Sequence, residues 1–168
     1  IYTTITGTDL LTDTRPALIN SNVSKALLYS FDCQFEYNFS GAFVLSGSAS
    51  YTRGRDTETG DDLPLIPPFR GRLGLRYTHN KAGSAELTLT GVAKQDKIAQ
   101  GETLSDGYIR LDLSLSSNRI DVGKTGLQFF AGIDNISDAK YTNHLSTNRG
   151  SISIEPGRNV YLRVIFSF

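Results

Sequence analysis

Apolar and polar residues alternate along most of this chain with a period of two. From Leu27 the odd positions are Leu27, Tyr29, Phe31, Cys33, Phe35 and Tyr37, with Leu28, Ser30, Asp32, Gln34, Glu36 and Asn38 between them. Phe43, Leu45, Gly47, Ala49 and Tyr51 then oppose Val44, Ser46, Ser48, Ser50 and Thr52. Phe69, Gly71, Leu73, Leu75 and Tyr77 oppose Arg70, Arg72, Gly74, Arg76 and Thr78. Leu87, Leu89, Gly91 and Ala93 continue the pattern, as do Ile109, Leu111, Leu113 and Leu115, and then Leu127, Phe129, Ala131 and Ile133. Val160, Leu162, Val164, Phe166 and Phe168 form the last run. Successive side chains of a strand leave opposite faces, so each segment predicts a strand with one apolar and one mostly polar face. With a shorter start at Ile1–Ile5, the count is eight.

The segments are long for a soluble protein, whose strands are mostly about 5–6 residues, and match the roughly 9–11 residues of a tilted membrane strand. Tyr37, Phe43, Tyr51, Phe69, Tyr77, Tyr108 and Phe168 sit near segment ends, where interfacial girdles are built. Connections alternate in length. Residues 38–41, 79–84 and 117–126 read as short turns; 7–22, 54–68, 97–107 and 137–157 read as long loops. Short turns on one side and long loops on the other are the habit of outer-membrane barrels, with the turns periplasmic. The expected fold is therefore all-β, an antiparallel up-and-down transmembrane β-barrel.

Composition changes the picture little. There is no Met and no Trp, and no run of about 20 apolar residues that could form a transmembrane helix. Seventeen basic and seventeen acidic residues cancel, which gives no electrostatic reason to expect nucleic acid as a partner. The single cysteine, Cys33, excludes an intrachain disulfide. The opening IYTTITG has neither a basic n-region nor an apolar h-region, and reads as starting partway along a strand of a longer or processed protein. Period alone does not say which face points inward. A soluble sandwich or lipocalin-like barrel, with the apolar face as core, is the competing fold.

Four stretches carry a resemblance. They are DLPLIPPFRGRLGLRY (62–77), KIAQGETLSDGYIRLDLSLS (97–116), GIDNISDAKYTNHLS (132–146) and PGRNVYLRVIFSF (156–168). In this order and spacing they resemble the C-terminal part of the barrel of TonB-dependent outer-membrane receptors. The resemblance implies that residues 1–168 are the last eight strands of a barrel of about 22, with an N-terminal plug and the earlier strands absent. It implies an outer-membrane protein, surrounded by lipid, that imports a scarce large nutrient such as a ferric siderophore, haem, cobalamin or another metal chelate. Its partners would be a TonB-type energy-transducing protein, reached through the plug, and the barrel-assembly machinery. Val164, Phe166 and Phe168 are similar to the C-terminal signal that this machinery reads. The alternative is a small eight-stranded structural or adhesive barrel without transport. Charges on the polar face (Arg70, Arg72, Arg76, Arg110, Arg163, Asp32, Glu36, Asp112) suit a wide lumen better than a narrow dry one.

Candidate chemistry is sparse. The two histidines, His79 and His144, fall in a turn and a loop, and no His, Cys and carboxylate set has metal-ligand spacing. An enzyme is not expected, nor a resident cofactor. For ligand capture the candidates lie at the long-loop ends: Arg53, Arg55, Arg70, Tyr108, Tyr141, His144 and Arg149, with Gln95, Gln100 and Asn143 beside them. Arginine presents a fork of donors that suits carboxylate or phosphate. Asn135 and Asp138 fit a strand-to-loop transition, where Asx side chains bond nearby backbone.

Overall fold

Rows of apolar side chains run straight across one sheet, because the pairing registers keep odd positions opposite odd ones. The computed structural model describes residues 2–5, 17–20, 25–150 and 152–168. The strands are β1 (Tyr2–Ile5), β2 (Ala17–Asn20), β3 (Ala26–Ser40), β4 (Phe43–Asp56), β5 (Arg70–His79), β6 (Gly83–Val92), β7 (Tyr108–Ser117), β8 (Ile120–Val122), β9 (Thr125–Asp134) and β10 (Asn159–Ser167). One short helix, α1 (His144–Arg149), lies between β9 and β10. Strands β3 to β10 form an antiparallel sheet in the order β10-β9-β7-β6-β5-β4-β3, with β8 beside β9. The sheet is not closed: β3 and β10 are its edges. Its seven long strands are 9 to 15 residues, the length expected for crossing a bilayer.

The alternation is realised as expected. One row reads Tyr37, Leu45, Leu75, Leu87, Leu113, Ile133 and Val160, and the next carries Phe35, Gly47, Leu73, Leu89 and Leu111. These residues face out. Phe31 is 63%, Ile109 65% and Leu162 73% exposed. Among the described residues the buried hydrophobic is Ala99, whereas Asp56, Thr88, Thr90, Gln95, Ser105, Asn135 and His144 are buried. Polar groups inside and apolar ones outside invert a soluble core, and a lipid-facing wall requires this arrangement. At the short-turn end Phe39, Phe43 and Tyr77 stack in succession, with ring centroids 5.6 and 4.9 Å apart, beside Tyr37. Tyr29 and Tyr51 pair at the other end, 6.4 Å apart.

Four expectations need correction. The Ile1–Ile5 segment is not the first strand of this sheet. Tyr2–Ile5 pairs with Ala17–Asn20, inside the stretch read as a loop, as a separate two-stranded ladder; Ile1 and residues 6–16 lie outside the described residues. Residues 117–126 are more than a turn: β8 folds back on β9 around Gly123–Lys124, because Ile120 and Val122 carry the alternation on. Tyr108 shares the parity of Arg110, so it lies on the polar face and not in the outer aromatic girdle. The fourth is α1, inside the stretch 137–157 read as a long loop. It is one turn and a half, too short for periodicity, but the Asn143 side chain caps it by accepting from Leu145 N.

Gly83 begins β6 at φ 131°, and a Cβ there would collide with the Ser116 carbonyl. Replacing it with valine combines a forbidden φ with backbone overlap. Gly83→Val should destabilise the sheet by about 2 kcal/mol or more. The full-length protein should then lose its compact, unheated form at a lower temperature on a heat-modifiability gel.

Candidate functional site

Two arginines of the polar face, Arg76 and Arg110, are paired with carboxylates, and others meet neutral partners. Arg76 contacts Glu86 at 2.8 Å, its cross-strand partner. Arg72 donates to Thr88 Oγ1 at 3.5 Å, and the Arg163 guanidinium lies 4.6 Å from the Phe130 ring centre. Pairing of this kind lets a barrel wall hold ionised groups at low cost. Toward the long-loop end the wall becomes more specific. Arg110 Nε donates to Asp112 Oδ2 at 3.0 Å, and its NH1 donates to the Tyr141 hydroxyl at 3.1 Å. Tyr141 stacks on Tyr108 with ring centres 4.2 Å apart. Asp112 turns its other oxygen to Asn135 N at 2.8 Å. Arg70 is level with Tyr108 and two strands away, because both register with Val92.

Asn135 fixes where the last loop leaves the sheet. It adopts φ 54°, is 1% exposed, and its side chain closes on Ala139: Nδ2 donates to the carbonyl at 2.9 Å and Oδ1 accepts from the amide at 2.9 Å. Asp138, also left-handed at φ 52°, accepts from Arg158 N at 2.8 Å and so ties the two ends of the loop together. Asn and Asp are the non-glycine residues that tolerate this backbone best. The loop therefore sets Tyr141 over the wall by a rigid departure.

Above the wall three loops are joined through Glu102 and Asn148. Glu102, between β6 and β7, accepts from Leu65 N at 2.6 Å and from Ala99 N at 2.9 Å. Leu65 belongs to the β4–β5 loop, and its φ of 59° aims the amide at Glu102. The oxygen that accepts from Leu65, Oε1, also lies 3.9 Å from Nε2 of His144 in α1. The His144 side chain is fully buried and Nε2 has no hydrogen-bond partner, while Nδ1 is 3.2 Å from Asn148 Nδ2. Asn148 completes the join, accepting from Thr103 N at 2.7 Å and donating to Thr103 O at 3.2 Å. Burial lowers the pKa of His144 below its usual value, against the opposing field of Glu102.

The predicted ligand residues thus scatter. Tyr108 and Tyr141 come together, with Arg70 on the same face; Arg110, which positions Tyr141, was not among them. Arg53 and Arg55 share the parity of Tyr51, on the apolar side. Arg53 contacts Asp62 at 2.6 Å, and Arg55 donates to Gly60 O at 3.0 Å, so both brace the β4–β5 loop. His144 is enclosed in the clasp. Gln95 is buried and donates to Ile66 O at 2.7 Å. Arg149 ends α1, and its side chain lies outside the described residues. The signal that could have found Arg110 is its i, i+2 spacing to Asp112 on one strand face, beside a Tyr two residues earlier.

Comparison with known proteins agrees with this architecture. Residues 1–136 match the family described as TonB dependent receptor-like, beta-barrel. Among solved structures, the copper transporter OprC superposes with a TM-score of 0.76 at 28% identity, over 85% of this chain and 24% of that one. The chain therefore spans about a quarter of that structure's length. No curated protein sequence matches.

The clasp has a pH dependence whose sign is fixed. A histidine with a lowered folded pKa stays neutral where the unfolded or opened loop would take a proton, so its contribution is full above the ordinary value and fades as pH falls below it. Amide protection factors at Leu65 and Thr103 in the full-length protein, taken against the intrinsic exchange rate at each pH, should fall between about pH 7.5 and 5.5. His144→Gln should flatten that dependence, and Glu102→Ala should release the β4–β5 loop from the β6–β7 loop at either pH. Loosening of the β6–β7 loop alone would contradict the shared clasp. The described strands and this polar wall belong to a TonB-dependent receptor-like β-barrel, the family of outer-membrane barrels to which this chain belongs.

Proposed function

We propose that this chain is the C-terminal part of the barrel of an outer-membrane receptor that takes up a metal ion already wrapped in an anionic organic chelator, a ferric siderophore first and haem or cobalamin next. The plug and earlier strands belong elsewhere in the whole protein. A TonB-type partner supplies energy through the plug, and the long loops face outward with the C-terminus periplasmic. Val164, Phe166 and Phe168 serve as the signal for the barrel-assembly machinery. Phe166 shares the outward face with Leu127, its partner, and is 60% exposed.

The observation that carries the substrate class is the corner made by Tyr108, Tyr141 and Arg70 on the polar wall. Stacked phenol rings and a guanidinium at one height recognise a flat or carboxylate-bearing organic ligand. Arg110 is a positioning residue: its donors are taken by Asp112 and Tyr141.

A second reading is direct import of copper, the substrate named for the similar structure. Copper in its soft form selects thiolate and thioether ligands. This chain has no Met, its one Cys is on the outward face opposite Ala49, and His144 is sealed in the clasp. The wall described here favours the chelate.

Uptake separates the two. Cells that depend on the full-length receptor should accumulate labelled ferric siderophore in competition with unlabelled chelate and not with copper salts. Tyr141→Ala and Arg70→Ala should each weaken binding about tenfold while barrel assembly persists. Uptake of copper alone, insensitive to both changes, would favour the second reading.

A further inference from the structure

Most strand glycines in this sheet sit beneath a neighbour that needs the room. The Phe35 ring covers Gly47, Ser46 and Glu86 crowd Gly74, Arg119 covers Gly126, and Tyr161 covers Gly132. Gly71 and Gly91 differ. They are direct cross-strand partners at the long-loop end of β5 and β6, one residue in from the Arg70–Val92 pair, and neither has a left-handed φ. A Cβ on Gly91 would meet nothing within 4 Å, and one on Gly71 would reach atoms of Phe69 and Ser48 at 4.0 Å. Glycine inside a strand weakens it, and a strand glycine with no local reason marks a place where something else comes close.

Around the two glycines the outward face is hollowed into an apolar slot of about 490 Å³, walled by Phe35, Ala49, Phe69, Leu73, Leu89 and Ile109. At the long-loop end this slot continues past Phe69 and Ala93, which it shares with a second concavity holding Arg53, Lys94, Lys97 and Asp96. Arg53 is matched by Asp62, and Asp96 offsets part of the remainder, so cations still outnumber carboxylates; both lysines are exposed. An apolar channel in the membrane wall that ends under cationic groups has the polarity of one molecule type: an acyl chain with an anionic head. A second barrel seated on this wall would meet apolar surface and has no need of the lysines.

We propose that this is a binding site for a phosphate-bearing lipid of the outer leaflet, with an acyl chain in the Gly71–Gly91 slot and a phosphate at Lys94 and Lys97. The leaflet rests on the orientation proposed above, in which the long loops face outward. Lysine pairs with phosphate as a compact charge, and the slot adds dispersion contacts that a generic wall of leucines does not offer to one particular chain.

The test uses the full-length receptor in detergent, with native mass spectrometry after adding lipopolysaccharide, its dephosphorylated form or phosphatidylglycerol. The unaltered protein should retain lipopolysaccharide. Gly71→Val combined with Gly91→Val should lower retention about tenfold by filling the slot, with the thermal midpoint unchanged or raised, because valine favours a strand. Lys94→Glu with Lys97→Glu, or removal of the lipid phosphates, should cause a similar loss. Retention unaffected by the valine pair, or equal retention of dephosphorylated lipid, would sink the site. Tighter retention of phosphatidylglycerol would overturn the outer-leaflet assignment. Orientation is read separately: Thr59→Cys should react with an impermeant maleimide on intact cells. Labelling without any lipid effect rejects the lipid site alone, and failure to label rejects the orientation.

Discussion

Hydrocarbon offers no partner to a backbone amide, and every other feature of this molecule follows from that. Each N–H and C=O at membrane depth must be met by a neighbouring strand. The sheet answers with antiparallel ladders from β3 to β10, the four-pair β7–β9 ladder being continued along β9 by β8. Once the backbone is satisfied, the side chains are free to sort by parity. One parity meets lipid and carries little chemistry. The other meets the lumen and carries almost all of it, with Arg76 paired to Glu86 and Arg110 to Asp112.

The loops obey a different rule. Freed from the ladder, their polar groups must find partners among themselves. Glu102 does this for two backbone amides and faces His144, and Asn148 does it for both backbone groups of Thr103. Buried polar groups therefore gather in the loops, at Gln95, Ser105, Asn135 and His144, as well as in the wall at Thr88 and Thr90. The site and its cap are joined: Asn135 and Asp138 set the departure of the same loop that carries Tyr141 to the wall and His144 to the clasp.

The strands and their faces were legible because a period of two is a local property. Ile109, Leu111 and Leu113 need no partner strand to be recognised, since they announce a face by themselves. The four motif stretches added the family. Parity also puts Arg53 and Arg55 on the apolar side and Tyr108 on the polar face, where its position at a segment end had suggested the outer girdle. What was not legible is nonlocal. Glu102 meets Leu65 across 37 residues and Thr103 meets Asn148 across 45, and no spacing rule connects them. The β1–β2 ladder was hidden for a like reason, since Ala17–Asn20 is four residues inside a polar stretch.

Leu65 gives the clasp a mechanical character. A branched apolar side chain at φ 59° is held roughly 1–2 kcal/mol above its relaxed backbone. The strained residue is the same one whose amide bonds Glu102. Opening the β4–β5 loop there gives back backbone strain as it loses a bond, so the join is weaker than its hydrogen bonds alone suggest.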